Sequence, residues 1–119
     1  MPDAITAAYE AGLELIAAGR YFEAHEALEE AWRASDEAER DFFQGLVHVS
    51  VAWYQAGRGN RVGCERQLVK AGRRLGPYAP RHRDLDVADL LRQVELAGGR
   101  YPDLPAVTIS RARGSRARG

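Results

Sequence analysis

The segment DEAERDFFQGLVHVSVAWYQAG, residues 36–57, decides how the chain folds. Asp36 followed three residues later by Glu39 is a capping box: Asp36 accepts from the Glu39 N–H while Glu39 reaches back to the Asp36 N–H. From Phe42 to Gly57 no charged residue occurs over 16 positions. Phe42, Phe43, Leu46, Val47, Ser50, Val51, Trp53 and Tyr54 stand at helical spacing and cover most of the circumference. A helix with so little polar face is contacted from several sides and belongs at the centre of a bundle. Gln44, His48 and Gln55 break it along one narrow stripe. The run is shorter than the about 20 apolar residues of a membrane span, and too polar for one.

Outward from this helix the same signals recur. Asp3 caps a first helix with Ile5, Tyr9, Gly12, Leu13 and Ile16 on one face, ending at Gly19. A second runs from Tyr21 to Arg33. Asn60 caps a fourth with Cys64, Leu68, Ala71 and Leu75 inward, stopped by Gly76-Pro77. After a loop from Pro77 to Leu85, Asp86 caps a fifth with Val87, Leu90, Leu91 and Val94, closed by Gly98-Gly99. The first three connections are too short for anything but antiparallel neighbours. The expected fold is therefore all-α, a compact bundle of about five helices built from antiparallel hairpins. Its single domain spans 1–107 and closes with an extended strap over 101–107. The arginine-rich tail, 108–119, is expected to be disordered. The 119 residues suffice for one core and not for two.

The 17 basic and 17 acidic residues cancel overall but not locally. Residues 1–57 hold 11 acids against 3 bases, and residues 58–119 hold 6 acids against 14 bases. Opposite halves of this kind pack on each other or on the other half of a second copy, so a homo-oligomer is one expectation. Nucleic-acid binding through the basic half is the rarer one. Lone Cys64 permits no internal disulfide, and the N-terminal residues lack an export pattern, which points to the cytoplasm.

One polar constellation exceeds what a plain core needs. His25 and Glu29 lie one turn apart on helix two, with Phe22 beyond them, so the buried arc is expected to enclose both. The short connection to helix three brings His48 and Gln44 opposite. Two imidazoles and a carboxylate, His25, His48 and Glu29, are the ligand set of catalytic zinc and non-haem iron sites; the ion would be Zn, Mn or Fe. Gln44 would stand behind the ligands, and Glu26 would polarise a bound water as the catalytic base. The same side chains equally suit a closed hydrogen-bond network that fixes helix register. His82 reads as a solvated loop residue and Cys64 as core. A non-catalytic structural or interaction module is thus the alternative to an enzyme.

The run Gly19-Arg20-Tyr21-Phe22-Glu23-Ala24-His25-Glu26-Ala27-Leu28-Glu29-Glu30-Ala31-Trp32, followed by Phe42-Phe43-Gln44-Gly45-Leu46-Val47-His48, resembles a small bacterial and archaeal family, domain of unknown function 309. The likeness continues through Gly59-Asn60 to Leu75 and on to Leu90, roughly residues 9–91. It implies an all-α fold and a metal-dependent hydrolase of unassigned substrate, with weight on His25, Glu26 and Glu29.

Overall fold

A computed structural model describes residues 3–111. Five α-helices follow one another: α1 (Ala4–Ala17), α2 (Tyr21–Ala34), α3 (Glu37–Gly57), α4 (Arg61–Leu75) and α5 (Val87–Ala97). Each start except that of α2 is fixed by a side chain. Asp3 accepts from the Thr6 N–H, Asp36 from Glu39, Asn60 from Gly63 and Asp86 from Asp89, at 2.7–3.2 Å. Such caps satisfy donors that a helix start leaves open, each worth about 1 kcal/mol. The capping box of α3 is only half made. The Glu39 N–H bonds to Asp36, but the Glu39 carboxylate turns away to His82 and Arg83.

The apolar circumference of α3 is buried as its sequence predicts. Phe42, Phe43, Leu46, Val49 and Ala52 are fully enclosed, and Val47 and Trp53 nearly so. α2 packs on one side of α3 and α4 on the other, while α1 packs on α2 and α5 on α4. Two glycines permit the close approach. A Cβ on Gly12 would stand 2.5 Å from Leu28 Cγ, and one on Gly45 would stand 2.6 Å from Leu75 Cγ. Buried Ser50 donates its hydroxyl to the Leu46 carbonyl one turn back, so its polar atom costs the core little.

The segment expected to be a loop has structure of its own. After a 3-10 turn (Gly76–Tyr78), Arg81–His82 (β1) and Leu85–Asp86 (β2) form a two-residue antiparallel pair. Arg83 and Asp84 make its turn in the left-handed region, at φ of 48° and 62°. Two central residues with positive φ match the twist of a tight hairpin.

The strap lies across the bundle, where Trp53 Nε1 donates to the Pro105 carbonyl at 2.8 Å and the Val107 N–H donates to the Tyr21 hydroxyl at 3.2 Å. Its contacts with the bundle continue beyond Val107. Thr108 and Gln93 exchange two hydrogen bonds, the Asp86 N–H donates to the Ser110 carbonyl, and Arg111 clasps Glu10 through both terminal nitrogens at 3.0 Å. The remainder of the expected tail, 112–119, lies outside the described residues. Each ion pair among the described residues that joins distant positions also joins the acidic half to the basic half: Arg74–Asp41, His82–Glu39, Arg83–Glu39 and Arg111–Glu10.

Candidate functional site

His25 and Glu29 sit on the flank of α2 that faces α3. The amphipathic pattern of α2 buries Ala24, Leu28 and Ala31 and leaves the next positions at the edge of the helix interface. The enclosed arc stops there. Phe22, expected to close it, is 45 % exposed, so the pair lies at a cleft rather than in a sealed interior. The His25 ring contacts Phe22, whose ring in turn stacks at a tilt on Tyr54 with centroids 5.3 Å apart. Phe22, His25, Val51, Tyr54 and Gln55 line a cavity of about 180 Å³ between α2 and α3. Through Phe22 and Tyr54 this cavity adjoins an open groove of about 740 Å³ under the strap, with Trp53, Arg20, Arg58 and Leu104 in its walls.

A backbone carbonyl places one proton of His25. Its Nδ1 lies 3.2 Å from the Phe22 carbonyl oxygen, which can only accept, so Nδ1 carries the proton. Nε2 lies 3.6 Å from Glu29 Oε2, facing it as a lone pair when the ring is neutral and as an ion pair when it is protonated. Glu29 is shared, because its other oxygen lies 3.7 Å from Arg33 Nη1. In the neutral ring one acceptor faces another, and the arrangement becomes attractive when a proton, a cation or a donor comes between them.

His48 goes elsewhere. Its Nδ1 donates to Gln67 Oε1 on α4 at 2.7 Å, and its Nε2 is buried without a partner. Burial holds its pKa below the ordinary histidine value, helped by the charges of Lys70 and Arg74 and opposed by the Gln67 bond. His48 is therefore a neutral ring committed to the α3–α4 seam. Gln44 is half-buried and forms no side-chain hydrogen bond among the described residues, and Glu26 is exposed. Among the described residues no group of three or more His, Cys, Asp or Glu side chains is arranged to hold a metal ion. The expected set of His25, Glu29 and His48 is thus not gathered around one point, nor does Gln44 complete a network with it. The reason is the competing partner: Gln67 on α4 satisfies the His48 nitrogen that α2 was expected to meet.

A second cluster was missed. Glu39 receives His82 Nε2 at 2.9 Å and Arg83 Nε at 2.6 Å, while the His82 ring stacks edgewise on Phe42 and tilted on Tyr78. Arg83 and Arg111 both lie over the ring of buried Tyr9, whose hydroxyl donates to the Arg83 carbonyl. Burial keeps that phenol protonated well above its usual pKa. His82 is thus a packed latch residue and not the solvated one expected. The signal in the sequence was Glu39, which had two competing uses.

Fold and cleft together define a small all-α protein in which His25, paired with Glu29, stands in the wall of a largely apolar cavity. The family described as Domain of unknown function (DUF309) matches residues 9–67, and the chain belongs to it. That match covers α2, α3, both members of the His25–Glu29 pair, and His48 with its partner Gln67. No curated protein matches the chain.

Proposed function

We infer that the protein is a small-ligand-binding helical module whose site is the α2–α3 cleft. Its ligand carries a cationic or N–H-donating head on a short apolar body. The observation that supports this reading is His25 Nε2 facing Glu29 Oε2 at 3.6 Å beside a cavity walled by Phe22, Val51 and Tyr54. A donor head offsets the two facing acceptors, and the apolar body removes Phe22 and Val51 from water. Amide shift mapping with benzylamine, benzyl alcohol and benzoate tests it. Benzylamine is expected to move the amides of Phe22, His25, Val51, Tyr54 and Gln55, benzyl alcohol less, and benzoate least. Glu29→Gln should remove the preference for the amine. Shifts centred elsewhere, or equal for all three probes, refute the reading.

A metal-dependent hydrolase is the second reading, and it rests on His25 and Glu29 alone. Their 3.6 Å separation is near the about 3.4 Å edge of a tetrahedral site with bonds of about 2.1 Å. His48 takes no part in it, and Glu26 one residue from His25 would have to act from an exposed position. Thermal melts with added Zn²⁺, Mn²⁺ or Fe²⁺ test it: a concentration-dependent rise that His25→Ala abolishes supports it, and no rise removes it.

A further inference from the structure

Two groups of the charges left over after the chain has paired its own lie on different helices. Among the described residues the carboxylates of Glu26 and Glu30 on α2 make no ion pair, and neither do Arg66, Lys70 and Arg73 on α4. They fall on strips of one-turn steps. The outer strip of α2 reads Phe22, Glu26, Glu30, and that of α4 reads Val62, Arg66, Val69, Arg73. Both strips hold exposed apolar side chains, Phe22 at 45 % on the acidic one, and Val62 at 63 % and Val69 at 60 % on the basic one. Beside Val69 a groove of about 450 Å³ opens between α4 and α5, lined by Leu68, Val69, Gly72 and Val94, with Arg73 and Glu95 also in its wall. A Cβ on Gly72 would meet nothing within 4 Å, so the groove stays open over that turn of α4.

We propose that the acidic outer face of α2 in one copy docks head to tail on the basic, apolar face of α4 in the next. A second copy is favoured because this chain itself carries the strip of opposite sign with an apolar residue at its end. The formal net charge of zero also leaves copies without mutual repulsion. A nucleic acid would satisfy Arg66, Lys70 and Arg73 but would leave Val62 and Val69 without an apolar partner. The contact uses two different patches, so it is heterologous and extends to rings or short chains instead of stopping at a two-fold dimer.

Sedimentation over a concentration series of the whole protein tests this, with two charge-reversed variants whose folding is checked by circular dichroism. The wild type is expected to gain mass with concentration at low salt, and to lose that gain at high salt. Glu26→Arg with Glu30→Arg, and separately Arg66→Glu with Arg73→Glu, should each weaken association at least about tenfold. Mixing the two variants should restore it, because the unaltered α4 of the first meets the unaltered α2 of the second. A wild type that stays monomeric at about 0.5 mM in low salt overturns the proposal. Association that survives either variant, or variants that fail to rescue each other, also overturns it. So does a monomer that binds a single-stranded RNA oligonucleotide through Arg66 and Arg73, which assigns the basic face to nucleic acid.

Discussion

Replacing Glu39 by glutamine tests whether the latch between α3 and the 81–86 hairpin stabilises the fold. The wild-type carboxylate accepts from Arg83 Nε at 2.6 Å and from His82 Nε2 at 2.9 Å, with all three side chains less than a third exposed. Hydrogen bonds to charged groups contribute about 1.5–3 kcal/mol each, and neutral ones about 1 kcal/mol. Glu39→Gln keeps one acceptor oxygen and the shape but loses the charge, so a net loss of about 2 kcal/mol is expected at neutral pH. Urea unfolding should show a midpoint lowered by about 1 M with an unchanged slope. Burial raises the Glu39 carboxyl, but the bonds and charges of Arg83 and His82 outweigh it and hold its pKa below 4.5. A depressed folded-state pKa means that this contribution is complete above about pH 4.5 and fades as pH falls through the lower folded value. The gap between wild type and Glu39→Gln should therefore narrow as pH falls below about 4.5. A variant within about 0.5 kcal/mol of wild type at neutral pH, or a gap that does not narrow on acidification, refutes the latch.

Other perturbations follow from single contacts. The lowered pKa of His48 makes its contribution complete above about pH 6.5 and lost as pH falls through the folded value; His48→Gln should flatten that part of the stability–pH curve, read by urea unfolding at several pH values. Gly45→Ala gains about 1 kcal/mol of helix propensity but drives a methyl to 2.6 Å from Leu75 Cγ and 3.2 Å from Arg74 Cβ, so a net loss of about 1–2 kcal/mol is expected from thermal melts. Trp53→Phe removes the N–H that holds the Pro105 carbonyl, and hydrogen exchange should quicken at Val107 and Thr108 while the amides of α3 stay protected.

Helix number, order and centre were legible in the sequence because they depend on local and periodic signals. Asp3, Asn60 and Asp86 cap by reaching three residues ahead, and the apolar circumference of residues 42–54 admits only a helix packed on several sides. The positions of His25 and Glu29 on one helix face follow from the same periodicity. Their surroundings do not, since whether Phe22 closes the arc or lies open depends on which side chains of α3 stand across from it. His48 shows this most plainly: its place on α3 was readable, but its partner Gln67 is 19 residues away on α4. Glu39 was read as a cap because its neighbour three residues back is adjacent in sequence, while His82 and Arg83 lie more than forty residues off. Periodicity fixes the face on which a polar group lies. Which of several donors reaches it is decided by helix packing, because hydrogen-bond energy falls steeply over a few tenths of an ångström and no local pattern encodes that distance.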